Sequence, residues 1–374
     1  MKLNLDNGLS FNGTNFGANE SVTGEVVFNT AMTGYVEALT DPSYKGQILV
    51  LTYPIQGSYG VSKDAFESKE IQVQGLIVAN YNDNYSHYKA EYSLGEWLKA
   101  HNVPGITDID TRSLTKVLRD NGTINGIISN SESSFVNKVD MANVLKLVVD
   151  NKVIKYTCSS KSNINILLID TGAKFNIIRL LLNQDVNVIK VPWNMAWESY
   201  LGEVDGVFLA NGPGDPCDAK GLIAKIKQYL FNLDIPVFGL CLGHQLLALA
   251  SGAKINKLKY GNRSVNQPVK DLFTNKCYIT SQNHGFAVDA NSLNSDWQEW
   301  FVNLNDESNE GIKHKFKDIS SVQFHPEAAS GSEDTSYLFV DYINLVKQKI
   351  NLNDIRKKVK ITSISNIEAI RARY

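Results

Sequence analysis

Gly239-Leu240-Cys241-Leu242-Gly243 has the spacing of a nucleophile elbow with cysteine in place of serine. The flanking glycines permit a tight strand-to-helix turn with a strained residue at its apex. A thiol there faces the first turn of the next helix, whose exposed N–H groups favour anionic sulfur. The backbone N–H of Leu242 then stands where an oxyanion could be stabilised. The same five residues also suit a small buried cysteine on a packed turn.

A thiolate nucleophile needs a base and proton carrier. The chain offers six histidines: His87, His101, His244, His284, His314 and His325. His325 lies in Ser321-Val322-Gln323-Phe324-His325-Pro326-Glu327. The run before it reads as a strand, and Pro326 favours extended backbone at His325. Residues i and i+2 of an extended chain share a face, which sets Glu327 beside the imidazole. Cys241, His325 and Glu327 are therefore a candidate triad with roles like those of Ser–His–Asp. A surface His-Pro-Glu turn is the plainer alternative. His244 is expected to support the start of its helix and His284 to hold a loop. The other three histidines are expected at the surface.

Asn211-Gly212-Pro213-Gly214-Asp215-Pro216 can bring open backbone to an anionic ligand, or can be a bare turn. It lacks the Gly-Lys-Ser/Thr ending of a P-loop. The chain contains no GxGxxG, no HExxH and no carboxylate cluster with metal spacing. Catalysis in this chain is expected to need no metal.

These residues require a scaffold, and the pattern from 164 onward supplies one. Apolar runs at 164–170, 186–191, 206–210 and 235–240 alternate with helical spacing at 174–182, 219–231 and 244–251. Such alternation predicts a doubly wound, mostly parallel sheet. Ligands in such sheets sit beyond the C-terminal ends of the strands, where both glycine-rich breaks fall. Residues 1–155 read as a separate mixed β/α domain, with strands at 25–28 and 47–53 and a helix at 111–120. The polar stretch 156–163 reads as a linker and 164–348 as the second domain. Residues 349–374 form a basic tail.

Composition bounds the rest. With 374 residues the chain is long enough for two domains. It is 43% hydrophobic and 20% charged, as in soluble globular proteins. No apolar run approaches a membrane span, and the N-terminus gives no reason to expect a secretory signal. A net charge of −2 leaves no footprint for nucleic acid. Four cysteines make neither a disulfide framework nor a zinc pattern, so the cytoplasm is the expected compartment.

Taken in order, NGPGDP (211–216), GLCLGHQ (239–245) and HPE (325–327) resemble the class I, triad-type glutamine amidotransferases. MTGYVEALTDPSYKGQILVLTYP (32–54), SQNHGFAVD (281–289), FVNLNDESNEGI (301–312) and QFHPEAASGSEDTSYLF (323–339) narrow the resemblance to one family. These are the small, glutamine-hydrolysing subunits of carbamoyl phosphate synthetases. The likeness spans about residues 1–348. It implies that Cys241 attacks the glutamine side-chain amide, that His325 moves the protons and that Glu327 orients His325. It places the glutamine contacts on Ser43, Gly212, Gly214, Leu242, Gln245, Asn283, Gly285 and Phe286. It implies a large-subunit partner that receives ammonia through the protein and uses ATP, Mg and bicarbonate, with no cofactor in this chain. Higher-order assembly of such heterodimers is left open, as is supply to arginine, pyrimidines or both.

In one segment the chain departs from the resemblance. A His- and Gly-rich stretch before Asn-His-Pro is replaced by Lys259-Tyr260-Gly261-Asn262-Arg263-Ser264-Val265-Asn266-Gln267-Pro268. The alternatives are another triad amidotransferase, such as those serving anthranilate, GMP or CTP synthesis, a non-enzymatic regulatory homologue, and a cysteine protease. The 1–155 domain argues against the first of these and the intact triad against the second.

Overall fold

A computed structural model describes residues 1–130 and 143–353. Each half of the chain is built on one sheet, of eight strands in the first and ten in the second. In the first sheet Val22–Asn29, Gln47–Gln56, Gly75–Tyr81 and Gly105–Thr107 run parallel. The run Gln47–Leu51 is apolar on both faces because both faces are covered. Ile48 and Val50 pack towards helix Thr111–Asn121, and Leu49 and Leu51 towards helices Tyr35–Thr40 and Leu94–Ala100.

In the second sheet the central strands run parallel in the order Ile319–Val322, Val237–Leu240, Gly206–Leu209, Asn165–Asp170, Asn187–Pro192. Helices Lys220–Tyr229 and Leu242–Ser251 cover one face. Helix Phe175–Leu182 and a helix over 337–353 cover the other. This is the doubly wound arrangement that the alternating pattern predicts. An antiparallel flank extends the sheet beyond Ile319–Val322, through Asn309–His314 and Trp297–Asn303 to the long hairpin of Ile255–Asp271 and Cys277–Val288.

The expected boundaries move. Ile154–Tyr156 pairs antiparallel with Asn187–Pro192 and forms the outer strand of the second sheet. Leu145 belongs to the second domain's apolar core, and its carbonyl accepts from Trp193 Nε1 at 3.3 Å. The second domain therefore takes in residues before the 156–163 linker. At the other end the helix runs through 348, with Ile350 still packed on the apolar cluster. The tail boundary at 349 thus falls inside a helix, and residues 354–374 of that tail lie outside the described residues.

Candidate active site

The ends of the central strands deliver the site. Val237–Leu240 stops at Cys241, which holds the non-helical conformation φ 52, ψ −103 before helix Leu242–Ser251 begins. Positive φ is costly for a residue with a Cβ and persists only where the surroundings enforce it. Here the enforcement is steric. A Cβ on Gly239 would lie 2.8 Å from the carbonyl oxygen of Gly243, and one on Gly243 would lie 2.7 Å from Cβ of Leu209. Strand and helix are packed too closely for any other residue, so Cys241 is left to take the bend. Its N–H donates to Val322 O at 2.9 Å, and its Sγ lies 3.7 Å from Asn283 O.

His325 is pinned by its own N–H, which donates to Ser281 O at 2.9 Å. The strand stops at Val322, and His325 to Ala328 forms a turn closed by Ala328 N–H donating to His325 O at 3.0 Å. The predicted pairing of His325 with Glu327 is present, but a turn makes it, not an extended strand. His325 Nδ1 and Glu327 Oε1 are 2.6 Å apart, both buried. Nε2 makes no hydrogen bond to an oxygen or nitrogen, and Cys241 is the neighbour left to it. Burial alone would discharge the imidazole, but the charges of Glu327 and Cys241 outweigh it and push His325 up to about 10. Glu327 goes the other way. Burial opposes ionisation, yet Lys174 and His325 hold it down at about 2.

Lys174 was not visible as a site residue in the sequence. It precedes helix Phe175–Leu182, is buried, and donates to Ala328 O at 2.5 Å while its Nζ lies 3.0 Å from Glu327 Oε1. Asn176 Nδ2 donates to Glu327 O at 2.5 Å. The start of that helix is held in turn by Glu67 of the first domain. Glu67 accepts from Asn176 N at 3.0 Å and Arg179 Nη1 at 3.1 Å, and its carbonyl accepts from Phe175 N at 2.9 Å. Burial raises Glu67 to about 7, against the pull of Lys174.

Seven of the residues expected to bind glutamine line one cleft of about 370 Å³ with Cys241: Ser43, Gly212, Gly214, Gln245, Asn283, Gly285 and Phe286. The eighth, Leu242, has its side chain in the core and stands at the helix start, where only its backbone can face a ligand. Ser43 reaches the cleft from the first domain, and its Oγ accepts from Asn211 Nδ2 at 2.9 Å. Beside it Asp41 Oδ2 accepts from Asn283 Nδ2 at 2.9 Å. Gly212 cannot carry a side chain, since a Cβ would lie 2.9 Å from Leu242 Cδ2 and overlap the Thr171 carbonyl. Gln245 Nε2 donates to Phe286 O at 3.0 Å and so fixes the far wall.

His244 and His284 are not bases for Cys241. Burial lowers His244 to about 3 and His284 to about 4, so both are neutral. His244 Nδ1 meets Ser321 Oγ at 2.9 Å, and His284 Nδ1 meets Phe286 O at 2.7 Å. Among the described residues no three of His, Cys, Asp and Glu are grouped as metal ligands would be, and no helix is long and apolar enough to cross a membrane.

Two family models match the chain. Residues 3–128 match the carbamoyl-phosphate synthase small chain, CPSase domain, and residues 167–345 match glutamine amidotransferase class-I. The carbamoyl phosphate synthase small chain of Oceanobacillus iheyensis is 44% identical, over 92% of this chain and 96% of its own length. The arginine-specific small chain of Saccharomyces cerevisiae is 45% identical, over 92% of this chain and 88% of its own. The multifunctional protein pyrABCN of Emericella nidulans is 43% identical over 93% of this chain, which corresponds to 17% of that longer protein. In both halves, and over nearly its whole length, the chain belongs to the carbamoyl phosphate synthase small-chain family.

Proposed function

We propose that this chain is the glutamine-hydrolysing subunit of a cytoplasmic carbamoyl phosphate synthase. The observation that carries the reading is the buried 2.6 Å His325–Glu327 pair, on whose imidazole Cys241 of the shared cleft also acts. Cys241 Sγ attacks the side-chain amide carbon of glutamine and forms a tetrahedral oxyanion facing the N–H of Leu242. The charged imidazole of His325 gives its proton to the amide nitrogen, the C–N bond breaks, and ammonia leaves. The neutral imidazole then takes a proton from water, and the resulting hydroxide attacks the thioester. The C–S bond breaks, glutamate departs and its new carboxyl loses a proton to solvent. Throughout, Glu327 holds Nδ1, which keeps the ring oriented and its charge stabilised.

Ser43, Gly212, Gly214, Leu242, Gln245, Asn283, Gly285 and Phe286 hold the glutamine. The ammonia passes to a large subunit that uses ATP, Mg and bicarbonate to make carbamoyl phosphate. Glutamate release by the full chain, alone and with that subunit, tests the reading. Carbamoyl phosphate formation is followed in parallel from glutamine and from ammonia. Absence of glutamate release in both states would overturn it.

A further inference from the structure

Glu310 is fully buried on strand Asn309–His314 and does not line the cleft. Its Oε1 accepts from Asn303 Nδ2 at 3.0 Å, and its Oε2 lies 3.0 Å from Nε2 of Gln282. The other end of that carboxamide, Oε1, lies 2.9 Å from Nε2 of His284. The line ends at Phe286 O, 2.7 Å from His284 Nδ1. Phe286 belongs to the cleft, and its carbonyl also accepts from Gln245 Nε2 at 3.0 Å. Glu310, Gln282 and His284 are all buried, so a mismatch along the line is not repaired by solvent.

Donors and acceptors along this line balance only with one shared proton. A carbonyl only accepts, so His284 Nδ1 carries a hydrogen, and in the neutral ring Nε2 is then an acceptor. The Gln282 carboxamide supplies a donor to Nε2 after a half-turn about its last side-chain bond, which exchanges its two ends. Its oxygen then faces Glu310 Oε2 and takes a proton from the carboxyl. The unturned amide is satisfied by the same proton held on His284 instead. Thr280 Oγ1, 3.1 Å from the amide, serves either orientation by rotating its hydroxyl. With the proton gone, Nε2 and the carboxylate both require the one NH2 group between them. The ring then has a tautomer open to it that sets Nδ1 and Phe286 O, two acceptors, against each other. Burial pushes Glu310 up to about 8, against the hydrogen bonds from Asn303 and Gln282, and the charge of Asp306 adds to the rise. Arg263, Asp306 and His325 act on His284, which in turn acts on His244 of helix Leu242–Ser251.

Resting on the glutaminase reading above, we propose that Glu310 is a positioning residue that acts through Gln282 and His284 to hold the Phe286 carbonyl in the wall of the cleft. The test follows KM and kcat for glutamine from about pH 6.5 to about pH 9.5, with the full chain saturated by the large subunit. The parent, Glu310→Gln, Gln282→Met and the double variant are compared. The carboxamide introduced by Glu310→Gln donates as the protonated carboxyl does but does not titrate. Its KM should match the parent's within about twofold near pH 6.5. The parent's KM should then rise to about fivefold above the variant's at the alkaline end, the scale of one hydrogen bond, with the kcat ratio steady within about twofold. Other groups that titrate in this range, His325 included, are common to both chains. Gln282→Met cuts the line itself, so its KM should stand about fivefold high already near pH 6.5, and adding Glu310→Gln should change it no further. A parent-to-variant KM ratio that stays flat with pH overturns the proposal. A ratio that moves in kcat and not in KM also overturns it and assigns Glu310 to the proton transfers. A parent chain with no glutaminase activity fails the underlying reading instead, and the positioning role with it.

Discussion

Lys174 Nζ lies 3.0 Å from Glu327 Oε1, and both side chains are withdrawn from solvent. Glu327 therefore carries its charge by serving two cations, Lys174 on one side and His325 on the other. Lys174→Met leaves the carboxylate buried with a single cation whose own charge depends on it. We expect a loss of about 3–5 kcal/mol of stability, the usual consequence of breaking one side of a buried pair. Urea unfolding measures it. A midpoint unchanged from the parent would show that Lys174 carries no part of the charge balance.

Cys241→Ser should lower glutamine hydrolysis by at least about 1,000-fold, since the hydroxyl is a far weaker nucleophile with the same neighbours. Synthesis from added ammonia by the complex should persist, because free ammonia bypasses the thioester. Parallel assays with the two nitrogen sources decide it, and equal loss of both would argue against the assignment.

The raised His325 gives a stability signature at alkaline pH. Its folded value of about 10 exceeds the ordinary 6.5, so its contribution is full below about pH 6.5 and is lost as pH rises through 10. The stability difference between the parent and His325→Gln should therefore narrow steadily from pH 7 to 10. Urea midpoints across that range provide the measurement, and a flat difference would contradict the charge assigned to the imidazole.

Ser43 and Asn211 join the two domains through a 2.9 Å hydrogen bond at the cleft. Ser43→Ala should raise KM for glutamine about tenfold while leaving kcat within about threefold, because it removes a binding contact remote from the proton transfers. Steady-state kinetics separate the two constants, and a fall in kcat alone would move Ser43 out of substrate binding.

The second domain was legible because its strands and helices alternate from 164 to 251, and because the elbow and His-Pro-Glu are local patterns. Glu327 lies two residues from His325, so sequence spacing alone could pair them, although the strand geometry assumed for the pairing is replaced by a turn. Lys174 and Glu67 gave no such signal. Lys174 meets Glu327 across 153 positions of sequence and Glu67 meets Arg179 across 112, and periodicity within one element carries no record of either. The hairpin over 255–288 was missed for another reason. Its two register shifts destroy the period-2 pattern by which a strand is read.

Glu67 sits in the first domain but closes the start of the helix that leads from Lys174. The catalytic half is consequently not a portable module. Expressed without residues 1–130, it would keep every member of its triad in sequence and lose the anchor that orients the lysine behind Glu327. Chimaeras between relatives meet the same constraint from the other side. A first domain transplanted from another small chain must bring an acid that fits Asn176 and Arg179, or leave the start of that helix without its anchor.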